Sequence, residues 1–258
     1  MSEKFVHVKR IHTLKNSIFY SLIRYKNEIL GFGRRYYGED RVVKQVKLSN
    51  NLDIIEDKGI LFRGEDPRCF TYKGRLYILD NYFNDMHLID YETKKYFKIN
   101  ASGKNLSFIE HGDKLYFIHY IKPFHLYTLD MNNGEIKKVE VLDDKRHYNL
   151  EYRGGTPAYK LNDNEYYGYG HRTYVDDNSI VKHDIFKWIV KFQYGKPLIV
   201  IENVIQPENS KNICDPTSVI ELRGKRYLIT AESDKIWFCD QDYVTNVYEI
   251  VKNNITIK

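Results

Sequence analysis

Cysteine, long apolar runs and helical stripes are all scarce in this chain, and each scarcity excludes something. Only three cysteines, Cys69, Cys214 and Cys239, stand in 258 residues. They are widely spaced, without a CxxC pair, which excludes a disulfide framework and a thiolate metal site; they read as reduced, mostly buried thiols. No stretch approaches the roughly 18 apolar residues of a spanning helix. The opening "MSEKFVHVKRIH" carries charges where a secretory leader needs an apolar core. A soluble, cytoplasmic protein without a membrane span is therefore expected. The 40 Lys+Arg exceed the 35 Asp+Glu by only five, and bases and acids are interleaved, so no nucleic-acid partner is expected. Walker A, GxSxG and GxGxxG patterns are missing from the contexts that give them meaning. The nine histidines show no metal-ligand spacing; His12, His87 and His183 read as surface or strand-end residues, and no metal is expected.

Tyrosine is abundant: 23 residues, against 13 Phe and 2 Trp. Tyr suits pleated surfaces and also offers a sugar a stacking face with a polar tip; for most individual tyrosines sheet packing is the better reading. Periodicity is close to 2 nearly everywhere, which predicts an all-β fold. Five turn-plus-strand units repeat: "YKNEILGFG" (25–33), "YKGRLYILD" (72–80), "HGDKLYFIH" (111–119), "NDNEYYGYGH" (162–171) and "RGKRYLITA" (223–231), with starts 39 to 61 residues apart. Blades of a propeller run about 40–50 residues each. Outer hairpins are read at 86–99, 124–141 and 180–205.

Each unit follows a short strand that opens polar and turns apolar: "NSIFYSLIRY", "GEDPRCFTY", "KNLSFIEHG", "RGGTPAYKL" and "CDPTSVIEL". A two-sheet sandwich accommodates five hairpins but does not bring their first residues together. In a five-bladed β-propeller of four-stranded antiparallel blades, the innermost strands all start at one mouth of the central channel. That architecture, as a single domain over 1–258, is the expectation.

The polar strand starts carry the candidate chemistry. Alternation places Asp66 and Arg68 on one face and Glu65, Pro67 and Cys69 on the other. Asp66 before proline is also an ordinary turn starter. Arg68 can pair with an acid or hold a phosphate or sugar hydroxyl through its fork. In "RGGTP", Arg153, Gly155 and Thr156 allow close backbone approach to a ligand, or mark a bulge; His171 and Arg172 end the partner strand. Asp215 repeats the Asp-Pro device, and Glu232 and Asp234 end its hairpin partner. Cleaving or transferring a sugar needs an acid and a base or nucleophile across the anomeric carbon; Asp66, Glu232 and Asp234 are the carboxylates put forward for that work.

The ordered set "GEDPR", "KNLSFIEHGDKLYFIHY", "RGGTPAYKLNDNEYYGYGH" and "DPTSVIELRGKRYLITAESD" resembles glycoside hydrolase family 130, over roughly residues 15–240. The family comprises five-bladed propellers, among them β-mannoside phosphorylases, hydrolases and mannosyltransferases. The resemblance implies that Asp66 and Arg68 belong to the sugar and phosphate site. It also implies that Arg34 or Arg35 comes from the first blade, and that His171 holds phosphate with Arg153 or Arg172 nearby. One departure stands out. Where the phosphorylases carry a Lys-Asp pair with the catalytic acid, this chain has Lys104-Asn105, and Asn is no general acid. Three functions follow as expectations: a glycoside phosphorylase or hydrolase using no cofactor beyond inorganic phosphate, a glycosyltransferase taking a nucleotide sugar, or a catalytically silent glycan-binding propeller. A carbohydrate is the partner in each.

Overall fold

The computed structural model describes residues 3–11, 17–37, 40–82, 85–101, 105–141, 152–193, 196–234 and 243–252. The described residues contain no helix and form five antiparallel sheets. Strand β1 (Glu3–Ile11) comes first in the chain and belongs to the last blade. Blade 1 is β2 (Ser17–Tyr25), β3 (Glu28–Tyr37), β4 (Asp40–Leu48) and β5 (Ile54–Arg63). Blade 2 is β6 (Arg68–Tyr72), β7 (Arg75–Tyr82), β8 (Asp85–Asp90) and β9 (Tyr96–Ile99). Blade 3 is β10 (Ser107–His111), β11 (Lys114–Tyr120), β12 (His125–Leu129) and β13 (Ile136–Val141).

In blade 4 the inner strand is split into β14 (Tyr152–Gly155) and β15 (Tyr159–Asn162). Both pair with β16 (Glu165–Val175), followed by β17 (Val181–Gln193) and β18 (Lys196–Ile205). Blade 5 is β19 (Ile213–Leu222), β20 (Lys225–Ser233) and β21 (Val244–Lys252), with β1 paired antiparallel along β21 as its outermost strand. The chain thus closes the ring with its first strand, a role that "MSEKFVHVKRIH" did not announce. The propeller and all five inner hairpins agree with the sequence reading.

The hairpins form where short turns impose register. Lys26-Asn27, Lys73-Gly74 and Arg223-Gly224 have positive φ at both positions, the type I′ geometry whose twist matches the flanking strands. Aliphatic and aromatic residues alternate into clusters between neighbouring blades, such as Leu79, Leu88 and Phe70 with Phe108 and Phe117. Cys69 and Cys214 are buried free thiols, as expected, and burial pushes Cys69 up to about 12. Cys239, His12 and Lys104 lie outside the described residues.

Every inner strand has one edge with no neighbouring strand, so its N–H groups need other partners. Adjacent blades supply hydroxyls. Ser218 accepts from Leu22 N at 2.9 Å, Ser21 from Cys69 N at 3.1 Å and Tyr159 from Val219 N at 2.6 Å, while Ser107 donates to Thr156 O at 2.7 Å. Between blades 2 and 3 Phe70 also stacks on Phe108 at 4.2 Å and 9°. These bonds, each worth about 1 kcal/mol net, fix the inner-strand starts against one another and so fix the polar mouth.

Candidate functional site

Arg68 stands at the centre of that mouth, only 2% exposed. Its guanidinium reaches across the axis: Nε donates to Gly155 O in blade 4 at 2.5 Å. Nη2 donates to Asn105 Oδ1 at the start of blade 3 at 2.9 Å, and Nη1 donates to Pro67 O at 2.9 Å. Burial pushes the Arg68 pKa down, opposed by the negative charges of Asp66 and Asp215. Much of the fork offered to a phosphate in the sequence reading is therefore committed to protein oxygens.

The "EDPR" segment departs from simple alternation. Asp66 has φ +49° and precedes the first residue of β6; this left-handed residue breaks the pleat before Pro67. Glu65 and Asp66 consequently address the same arginine instead of opposite faces. Arg34 Nη1 lies 2.7 Å from Asp66 Oδ1 and 3.5 Å from Glu65 Oε2, and Arg41 also pairs with Glu65. Arg34 in turn lies over the Phe19 ring at 4.7 Å. Its neighbour Arg35 points to the other face of β3, where its charge acts on Asp57; strand alternation settles which of the two meets Asp66. Behind Glu65, Asp80 is buried and accepts Glu65 N–H at 2.9 Å. Burial, with Glu65 and Asp66 close by, raises its carboxyl to about 7. The next residue, Asn81, is 1% exposed, and neither of its amide atoms has a partner.

Across the mouth, Asp215 Oδ1 lies 2.6 Å from His183 Nδ1 and 3.5 Å from His171 Nδ1, and the two imidazoles stack at 4.6 Å. Burial works against the Asp215 charge. The two histidines, the His183 hydrogen bond and the Arg68 guanidinium outweigh it and hold the carboxyl well below its usual range. Burial pushes His171 down to about 3, with the positive charges of Arg153 and Arg68 acting in the same direction. His183, set aside in sequence as a strand-end residue, is a member of this cluster: it comes from β17, one strand further out than any candidate start. No motif spacing could connect it to Asp215, 32 residues away. The potential metal-ligand arrangement, likewise unexpected from the sequence, consists of His171, His183 and Asp215, whose donor atoms lie within 4.8 Å of one another.

The "GG" pair is a packing requirement. A Cβ on Gly154 would lie 2.1 Å from Asn105 O, and one on Gly155 2.7 Å from Pro216 O; the ladder shifts register between Arg153 and Gly155. The bulge reading holds, and it delivers the Gly155 carbonyl to Arg68. Thr156 is wholly buried and serves the backbone, accepting Tyr169 N and donating to Pro157 O, both at 2.9 Å.

Other candidates sit apart from this constellation. Arg172 is drawn away by Asp184 at 2.8 Å. Glu232 accepts from Thr230 and Tyr248 at 2.6 and 2.8 Å and from Lys211 N at 3.1 Å, bonds that lie in blade 5 and the segment leading into it. Asp234 is largely exposed and pairs with Lys211. The structure brings together Arg34, Glu65, Asp66, Arg68, Asn105, Gly155, His171 and Asp215, and adds Arg41, Asp80 and His183.

A five-bladed ring with a charged axial mouth defines a class of architecture, and several solved structures similar to it are carbohydrate-active enzymes. A mannose phosphorylase from Leishmania mexicana in complex with phosphate matches 96% of this chain and 87% of its own, with 10% identity and a TM-score of 0.66. A GDP-Man-dependent mannosyltransferase from the same organism matches 100% and 91%, at 10% identity and a TM-score of 0.66. An α-L-arabinofuranosidase from Podospora anserina in complex with cellotriose matches 96% and 97%, at 7% identity and a TM-score of 0.66. No protein-family model and no curated sequence matches the chain. At these identities the likeness is one of fold.

Proposed function

We propose that this protein is a carbohydrate-active enzyme of the glycoside phosphorylase or hydrolase type, acting on a mannoside at the polar mouth. The observation that carries the reading is the convergence there of largely buried charged and polar groups from all five blades: Arg34 with Asp66, Arg68 with Asn105, and Asp215 with two histidines. A fold core does not need such groups, because burying charge costs several kcal/mol per ion unless it is paired. The resemblance to glycoside hydrolase family 130 and the sugar-processing enzymes that share the ring support the same reading. Asp66 is the carboxylate assigned to the reacting sugar, held in place by Arg34.

One observation favours a second reading. Asn105 accepts a hydrogen bond from Arg68 and has φ +61°, so a neutral amide is built into the place where the phosphorylases carry an acid. An activated donor such as a nucleotide sugar needs less protonation of its leaving group, which fits glycosyl transfer. Incubation of the purified protein with manno-oligosaccharides plus phosphate, and separately with nucleotide sugars plus acceptors, separates the two. Release of sugar 1-phosphate or free mannose supports the first, and product with activated donor alone supports transfer. Binding without product in either mixture overturns both.

A further inference from the structure

We propose that His171, His183 and Asp215 form a binding site for a divalent first-row transition metal of the zinc type. The inference does not depend on the sugar-processing reading. Two imidazoles and one carboxylate are a donor set that zinc favours, with one position left for water or a ligand. The three donor atoms lie within 4.8 Å of one another. Tetrahedral bonds of about 2.1 Å put ligand atoms about 3.4 Å apart, close to the 3.5 Å from His171 Nδ1 to Asp215 Oδ1. His183, 2.6 Å from that oxygen and stacked on the His171 ring at 4.6 Å and 18°, must draw back and turn its ring so that both imidazole lone pairs meet at the ion.

A second observation points to a ligand. His171 Nδ1 is buried without a hydrogen-bond partner, in a residue 3% exposed. Buried polar atoms are ordinarily satisfied, and the exceptions call for a cause. A metal at this point satisfies His171 Nδ1 and replaces the hydrogen bond between His183 and Asp215 by two metal–ligand bonds. Bonding of the ion at His183 Nδ1 requires that nitrogen to be free of its proton. Each ligand comes from a different strand, His171 from β16, His183 from β17 and Asp215 from β19, so the ion also clamps blade 4 to blade 5.

The surrounding charge selects the metal. Arg68 and Arg153 both act on the cluster as positive neighbours. Calcium and magnesium rely on several oxygen ligands, and a single carboxylate under the Arg68 charge does not hold them. Imidazole bonds to a softer ion do not depend on net charge alone.

The test uses the full chain stripped with a chelator, with Zn²⁺ and Co²⁺ as probes and Mg²⁺ and Ca²⁺ for comparison. Titration calorimetry is expected to give one Zn²⁺ per chain. Affinity should fall at least tenfold in both His183→Ala and Asp215→Asn, and the native protein alone should acquire the visible absorption of low-coordinate Co²⁺. No Zn²⁺ binding, binding unchanged in both variants, or equal binding of Ca²⁺ overturns the proposal. Circular dichroism establishes that the variants are folded. Should either fail to fold, X-ray absorption at the zinc edge of the native protein decides: two imidazoles in the shell support the site, and fewer than two overturn it.

Discussion

The two ends of the inner strands are made from the same five segments and differ in almost everything else. At their starts, the buried Asp66 and Arg68 and the half-buried Asp215 are paired across blades, Asp66 with Arg34 of β3. Towards their ends, a cavity of about 790 Å³ opens among Arg24, Phe70, Phe108, Glu110, His111 and Tyr166. There the rings pack on one another, His111 on Phe192 at 4.1 Å, and the charged groups sit at the rim. Volume alone would favour the second end as a ligand site. Chemistry favours the first, because charge is buried only where something compensates for it. The difference teaches that one strand can devote its first residues to paired charge and its last to packing, since period-2 alternation needs only a few residues to form a core.

Substitutions at the two ends should separate accordingly. The largest effect is expected from Arg68→Ala, which leaves Gly155 O and Asn105 Oδ1 without their donor and takes from Asp66 and Asp215 one of the positive charges acting on them; urea unfolding should show a loss of about 4 kcal/mol. Asp80→Asn should act in the opposite direction and depend on pH. Its carboxyl titrates at about 7 when folded and near 3.9 when unfolded, so the folded state binds the extra proton and stability falls as pH rises between those values. Asparagine keeps the acceptor for Glu65 N–H and removes the penalty. The variant should match the native protein at pH 4 and exceed it at pH 8, by up to about 4 kcal/mol, read from paired denaturant curves.

Away from both ends, Glu3 on the closing strand accepts from Tyr169 at 2.7 Å and from Lys187 and Arg226 at 3.2 Å. Glu3→Ala should cost about 2 kcal/mol in thermal unfolding without altering sugar processing, because the latch is outside the mouth. Smallest of all, Asp163→Asn at the rim of the cavity, where Asp163 pairs with Lys160 in solvent, should leave the urea midpoint where it is in the native protein.

The fold was legible because its signals are local. Turns such as Lys73-Gly74 and the alternation of "RLYILD" report on a hairpin without reference to the rest of the chain. The candidate mouth was legible in part, since Asp66, Arg68, His171 and Asp215 all stand at strand starts that the repeat brings into phase. The remainder depended on events that no short window contains. His183 arrives from a middle strand, Arg34 rather than Arg35 is chosen by the facing of β3, and the left-handed Asp66 turns Glu65 towards the same arginine. Glu232 illustrates the converse: its place at a strand end suggested chemistry, while its partners Thr230 and Tyr248 hold it as a strut.

The most direct test of the account is a crystal of the protein soaked with a manno-oligosaccharide. Density for the sugar at the polar mouth, against Asp66 and Arg34, is the predicted result. Sugar bound instead between Phe108 and His111, with none at the mouth, would contradict it.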